Sequence, residues 1–496
     1  MKKRLVIYFH YDPAGQVDKA CRLAVSAMAK VAQAVVFVSN GRLESASSAW
    51  LSQQAGIRLL ERENVGLDVG AYRQALLELE PEGLEGYEEL VLMNYTLAGP
   101  VGTLEPMFEA MDQRPELDFW GLTRHYAMKS RRFGGKGGWV SEHLQSHFLA
   151  IRPRLFSSAA FWAYWRQMPL PKCYEESVMR HEVCFTGYFA AQGFRWDSFV
   201  NTDDLAAIYV NPIMACPRLL LEERGCPFFK RRSFFTPYAD ELRRTDGQAS
   251  WQLYRYLKEQ TGYPVEDLID SLLRTQPLNG LARELHWRIT LPESRRRPDA
   301  ILREEDLACE PSLEPGKIYC LVMPSEEDGV ARLCIENATT SVQVEQAAAW
   351  LSDHPEVGVL GPALTLAPEA MRHKLDRWRR DLPRVAQLCA QYGLTATGEG
   401  VEPLFLPNGG CLLVRGEAFA DGLPPLADPA GWWLLPLLAQ RAGYRSMVWQ
   451  TAGQNAAASD LLEETLLAQS SIKGALRLLL RAVKRRLQNI RKGGQR

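Results

Sequence analysis

The residues best able to do chemistry in this chain lie in RENVGLDVGAY, Arg62 to Tyr72, where a charged turn and two glycines follow directly on the apolar run GIRLL. A strand that ends in such a turn can aim backbone N–H groups and the Asp68 carboxylate at a phosphorylated sugar, with Gly66 and Gly70 permitting close backbone approach. That context suggests a nucleotide-sugar site. The plainer alternative is an Asn/Gly/Asp turn that caps a helix starting near Val69.

The elements that would hold this turn alternate in type. Strand-like RLVIYFH, AVVFVSN, GIRLLER, ELVLMN, DFWGLT and HFLAIR are interleaved with helical stretches through Ala20 to Ala34, around Ala49 and up to Leu79. Such alternation predicts an α/β fold with a mainly parallel sheet, whose ligands bind at the carboxyl ends of the strands. His10, Asp12, Asn40, Asn64, Asp68, Asn94 and Thr96 all fall at those ends, so several polar groups converge on one edge. Turn chemistry alone would call for the same residue types.

AMKSRRFGGKGGWVSEH, basic and Gly-rich, joins two strand-like runs and reads as a mobile loop. Its Arg131, Arg132 and Lys136 could close on phosphates, or the segment could be a solvated connector. GGKGG is not a P-loop, since no Ser/Thr follows and no strand leads into a helix. Trp120, Trp162 and Trp165 could stack on a sugar or base, although aromatics spaced as in FWAYW more often form core.

From Tyr238 to about Leu291 the pattern turns helical, and the charged, Pro-containing RRRPD (Arg295 to Asp299) places a boundary near residue 298. The organisation expected is a first domain over 1–235, a helical connector over 236–298 and a second, smaller α/β domain over 299–468. That second unit carries KIYCLVMP, VGVLGPAL and CLLVRG, but few acids or amides at its turns, which points to a degenerate α/β domain. Residues 469–496 form the last expected element. There Ile472, Leu476, Leu479, Leu480, Val483, Leu487 and Ile490 mark one helical face amid Lys and Arg. This basic amphipathic helix would bind an anionic membrane surface, or else dock on protein.

Composition excludes several classes. The 496 residues are 46% hydrophobic with a formal net charge of −1, which is globular and gives no overall field for nucleic acid. The apolar run in MKKRLVIYFHYDPAG is too short for a signal peptide, and nothing has the length of a transmembrane helix, so a cytoplasmic location is expected. The ten cysteines are scattered. Cys216 with Cys226, and His181 with Cys184, fit no common zinc spacing.

In order along the chain, YFHYDPAG, Ser39–Asn40, RENVGLDVGAY, LVLMNYTLAGP, LDFWGLT, LQSHFLAIRPRLF, RHEVCFTGYFAAQGF and PFFKRRSF resemble the rhamnan synthesis protein F family of bacterial polysaccharide glycosyltransferases. The likeness runs from about Arg4 to Phe234 and touches the second unit at VGVLGPAL and LPNGGCLLVRGEAF. It implies an A-type, Rossmann-like nucleotide-sugar transferase fold. The activity implied is transfer of a deoxyhexose, typically L-rhamnose from its dTDP-activated form, to a growing surface glycan; taken with the basic C-terminal helix, the acceptor expected is lipid-linked and the location the inner face of the cytoplasmic membrane. One departure stands out. The family usually shows Asn-Asp-Ser after the fourth strand, where this chain has Asn94, Tyr95 and Thr96, so an Asp-x-Asp site for Mg²⁺ or Mn²⁺ lacks its acid.

Sugar transfer with inversion needs a stabilised diphosphate and a carboxylate to take the acceptor proton. The expected diphosphate contacts are Arg131, Arg132, Lys136, Lys230 and Arg231, cations standing in for a metal. Glu182 is the first candidate base, because RHEVCFTGYF has the look of the helix on which the A-type fold often carries an acid, and Asp68 is the second. Glu182 could instead pair with Arg180 or Lys172, Asp68 could cap its helix, and Asp203 or Asp204 could serve in their place. Asp12, Asn40, Asn64, Asn94 and Thr96 complete the expected donor contacts, with Gly66 and Gly70.

Overall fold

The computed structural model describes residues 2–496 apart from 131–132, 134–136, 237–247, 277, 310, 324–338, 364–367, 395–409, 451–454, 456–471, 473, 477–478, 481–482 and 484–496. The chain forms two compact units, Met1–Gln276 and Pro277–Arg496.

The first unit is an α/β sandwich on a seven-stranded sheet. Its strands are β1 (Arg4–His10), β2 (Ala34–Asn40), β3 (Ile57–Arg62), β4 (Glu89–Asn94), β5 (Phe119–Gly121), β6 (Phe148–Ile151) and β7 (Trp196–Ser198), in the order β7-β5-β6-β4-β1-β2-β3. β1 to β4 run parallel, as the alternation predicts, and β7 pairs parallel with β5. β6 runs antiparallel between β4 and β5. β7, with one buried residue in its three, gave no strand signal in the sequence.

β1 is buried at every position because it has a core on each face. Val6 and Tyr8 join Val35, Phe37, Val91 and Met93 beneath helix α1 (Lys19–Val31). Leu5, Ile7 and Phe9 join Val36, Val38, Leu90 and Leu92 beneath helix α2 (Leu67–Leu79). The period of two that sends alternate side chains to opposite faces thus fixes the strands' register. At the amino edge Glu89 is buried and accepts from Arg4 Nε at 2.8 Å and from Trp120 Nε1 at 2.9 Å. The carboxyl edge is left for the polar strand ends.

The helices Ala249–Gln260 and Val265–Thr275 (α4 below, after α3, Val183–Ala190), which fall in the stretch expected as a connector, belong to the first unit. The second unit has a six-stranded mixed sheet of β8 (Arg288–Thr290), β9 (Ala300–Leu302), β10 (Ile318–Val322), β11 (Val357–Pro362), β12 (Cys411–Arg415) and β13 (Arg445–Gln450), in the order β8-β13-β11-β12-β10-β9. β8 lies ahead of RRRPD yet pairs with β13, so this sheet begins before the expected boundary. Ile472, Leu476, Leu479, Leu480 and Val483 of the expected apolar face are exposed helical positions, and Leu487, Ile490 and the Lys and Arg residues of the segment fall outside the described residues. Among the described residues no helix is long and apolar enough to cross a membrane.

Candidate functional site

Five separate elements bring polar side chains together at the carboxyl edge of β4. Asn94 ends that strand, and Asp68 lies in the first turn of α2, which starts from Gly66 in the left-handed region (φ 77°). Ser146 lies in the turn two residues before β6. Glu182 closes a wide, π-helical turn, Val178–Glu182, that leads into α3; such a turn holds one residue more than an α-turn and re-aims the side chain that follows. Lys230 arrives on a short antiparallel ladder in which it faces Leu97.

The contacts among them are specific. Asp68 accepts from Asn94 Nδ2 at 3.0 Å on Oδ2, and on Oδ1 from Ser177 Oγ at 3.3 Å and the Val69 N–H at 3.0 Å. One oxygen of Glu182 accepts from both the N–H and the hydroxyl of Ser146, at 2.9 and 2.8 Å. The same hydroxyl lies 3.4 Å from Asp68 Oδ2. A hydroxyl has a single proton, so the shorter contact takes it, and the longer one is satisfied when Asp68 itself is protonated. Lys230 Nζ reaches Thr96 Oγ1 at 3.3 Å, and the Thr96 N–H and hydroxyl both donate to Asn94 Oδ1.

These surroundings drive the two carboxylates apart. Burial, and then the Glu182 charge, push the Asp68 carboxyl up. Burial acts upward on Glu182 as well, but His143 and then Lys230 outweigh it and hold Glu182 well below the usual carboxylate range. Burial lowers the Lys230 ammonium to about 8, against the upward pull of Glu182 and Asp68. His147 is held neutral, chiefly by burial and then by Lys230. Paired acids with opposed environments are a common basis for dividing acid and base work. A divalent cation does not fit this donor set. Both carboxylates are already bonded to Asn, Ser or backbone donors, an ammonium stands beside them, and no group of three or more His, Cys, Asp or Glu converges for a metal among the described residues.

Of the residues expected at a site, the structure therefore brings together Asp68, Glu182, Asn94, Thr96 and Lys230. Others hold the scaffold. Asp12 accepts from the N–H groups of Ala14 and Gln16 and pairs with Arg274 of α4 at 2.5 Å. Arg231 is buried in an ion pair with Asp18 and a hydrogen bond to Ser271. Asn40 donates to Asn64 Oδ1 at 3.1 Å and to the Leu67 carbonyl at 3.2 Å, which fixes the turn before α2. Gly70 is required by the chain itself, because a Cβ there would stand 2.4 Å from the Val65 carbonyl oxygen. A Cβ on Gly66 would meet Leu170 at 2.9 Å.

Asp203 hydrogen-bonds to Tyr126 and Asp204 pairs with Arg224 at 2.7 Å, which ties both into surface networks. Trp120, Trp162 and Trp165 are core residues. Arg131, Arg132 and Lys136 lie outside the described residues; Met128–Lys129 and Trp139–Val140, on either side, pair antiparallel. Ser146, Ser177, His143 and His147 are the functional candidates that sequence reasoning missed. For Ser146 and His147 the one signal is the SH of LQSHFLAI, polar residues set directly before a fully buried strand.

The sequence profile of the family described as rhamnan synthesis protein F matches residues 35–294, more than half of the 496-residue chain, and the chain belongs to that family. The matched stretch holds every residue of the Asp68–Glu182–Lys230 cluster. A curated relative, the uncharacterized protein y4gN of Sinorhizobium fredii, is 24% identical over 207 residues, covering 42% of this chain and 51% of its own length. The chain thus spans about half the length of the curated relative it matches. Among solved structures, the galactosyltransferase LgtC in complex with donor and acceptor sugar analogues matches at 12% identity and a TM-score of 0.26, over 42% of this chain and 83% of its own. That likeness is too slight to bear on this chain's fold or chemistry.

Proposed function

We propose that the first unit is a glycosyltransferase of polysaccharide synthesis that moves a deoxyhexose, L-rhamnose from dTDP-L-rhamnose, onto a lipid-linked glycan with inversion. The observation that carries this reading is the carboxylate pair Asp68 and Glu182, linked through Ser146, with Lys230 beside it at the carboxyl edge of β4. Family membership supports the sugar class.

In this reading Lys230 meets the departing diphosphate, supplying the charge that a metal supplies elsewhere. Asp68, ionised when the acceptor enters, takes the hydroxyl proton as the sugar's anomeric carbon is attacked. Its upward-shifted affinity for a proton suits it to that work better than Glu182, which is held anionic. Glu182 fixes Ser146 and places a standing negative charge near the positive character that develops on the sugar. The acceptor lies at the inner face of the cytoplasmic membrane, where the basic C-terminal helix holds the protein to anionic lipid.

Calorimetric titration with dTDP-L-rhamnose and with UDP- and GDP-sugars, each in EDTA and in Mg²⁺, tests the reading. Binding of one donor that survives EDTA supports it and names the sugar. Binding of none points instead to a non-catalytic assembly or glycan-binding subunit, the role that Tyr95 in place of an acid would suit.

A further inference from the structure

His143 is the most telling residue that the proposed mechanism leaves unused. Its ring is buried, 1% exposed, and stacks on His125 with centroids 4.8 Å apart. Nδ1 lies 2.7 Å from the Ser141 carbonyl, which can only accept, so Nδ1 carries a proton. The other nitrogen, Nε2, has no hydrogen-bond partner and faces Glu182 Oε1 across 3.8 Å. That gap is too wide for a hydrogen bond, yet the two atoms are too close to ignore each other. Two residues on, Gln145 Oε1 is another buried atom with no partner, and so is Nδ1 of His147, whose ring is also 1% exposed. Buried polar groups are rarely left so, and three within five residues beside a carboxylate pair mark a place where a ligand completes the bonding.

We propose that Glu182 Oε1 and His143 Nε2 form a slot for one hydroxyl of a sugar ring. An oxygen about 2.8 Å from both atoms completes a triangle on the observed separation. The hydroxyl gives its one proton to the carboxylate and accepts from an N–H at Nε2; with Nδ1 also protonated, the filled slot sets an imidazolium beside the Glu182 carboxylate. A phosphate oxygen does not suit the slot, because Glu182 repels it. Lys230 then handles the diphosphate while His143 and Glu182 select the sugar, which divides donor recognition between two sides of one site. The inference rests on the transferase reading for the ligand's identity and on the orphaned atoms for its place.

The test compares wild-type protein with His143→Phe, which keeps an aromatic ring against His125, and with His143→Gln, which returns a polar group. dTDP-L-rhamnose, dTDP and free L-rhamnose are titrated into each. The slot predicts that His143→Phe weakens dTDP-L-rhamnose about tenfold, the worth of one hydrogen bond to a charged group, leaves dTDP unchanged, and is partly rescued by Gln. Unchanged donor binding with a several-fold higher KM for the glycan acceptor assigns the slot to an acceptor hydroxyl. Equal weakening of dTDP and dTDP-L-rhamnose overturns the proposal, as does no change in either donor affinity or acceptor KM. If wild-type protein binds no nucleotide sugar, the transferase reading fails by itself. Free L-rhamnose, seen by NMR, then decides the slot: binding lost in His143→Phe upholds it, and no binding to wild type ends it.

Discussion

Ser146 gives both of its donors, the backbone N–H and the hydroxyl, to a single oxygen of Glu182. This double contact locks a carboxylate at the end of one helix to the entrance of a strand in the sheet, and it leaves the Asp68 carboxylate at the far side of the same hydroxyl.

Replacing Ser146 with Ala removes the link and keeps the backbone contact. A hydrogen bond to a charged group contributes about 1.5–3 kcal/mol, so turnover should fall about 10- to 100-fold while dTDP affinity holds. Ser146→Thr, which restores the hydroxyl, should recover much of the rate. Steady-state kinetics with a calorimetric Kd for dTDP checks this, and equal loss in both variants would contradict it.

Lys230 should make donor binding sensitive to alkali. Its ammonium is lowered from 10.5 to about 8, so free protein loses that charge as pH rises through about 8, while a bound diphosphate restores it. Donor affinity should then drop by up to about tenfold per pH unit above that point. Between the two values the unfolded chain binds the extra proton, so stability rises with pH across the same window. Kd measured from pH 7 to 9.5 should bend in wild type and stay level, though weaker, in Lys230→Met.

Gly70→Ala tests whether that glycine serves the chain or the ligand. A methyl group 2.4 Å from the Val65 carbonyl forces the turn before α2 to move, at a cost of about 1–3 kcal/mol. Tm should fall by several degrees. An unchanged Tm with lost donor binding would return Gly70 to the binding surface.

Arg231 was expected at the diphosphate and is found in the core, 7% exposed, against Asp18. Arg231→Met leaves Asp18 buried without its partner and should cost about 3–5 kcal/mol of stability, with donor affinity preserved in the folded fraction. Burial alone would push Asp18 up, but Arg231 and Ser271 bring it from 3.8 to about 2. Its stabilising share is therefore complete above 3.8 and disappears as pH falls toward 2, and this acid loss should flatten in the variant. Acid titration followed by circular dichroism measures both.

What the sequence disclosed follows from how far each signal reaches. β1, β2 and β4 were legible because a strand buried on both faces is a continuous apolar run, and their ends delivered Asn94 and, through the next turn, Thr96. β7 and β8 were not, since three residues with little burial carry no periodicity and take their pairing from partners far away in the chain. Asp68, Glu182 and Lys230 could be named as chemistry-bearing types, but a sequence does not say whether a cation faces a ligand or a core acid. Lys230 and Arg231 are adjacent and separate on that point alone. Ser146 and His143 went unread because a serine or histidine before a strand is unremarkable until the π-helical turn carries Glu182 to it.

The central claim is that Asp68 performs the proton transfer of a sugar-transfer reaction that needs no metal. The most direct measurement is release of dTDP from dTDP-L-rhamnose with a lipid-linked glycan acceptor, in EDTA, by wild-type protein and Asp68→Asn. The account predicts turnover by wild type without metal, and a loss of about 10²–10⁴-fold in the variant with donor affinity within a few-fold of wild type. Turnover that appears only with added metal, or that persists in Asp68→Asn, would contradict it.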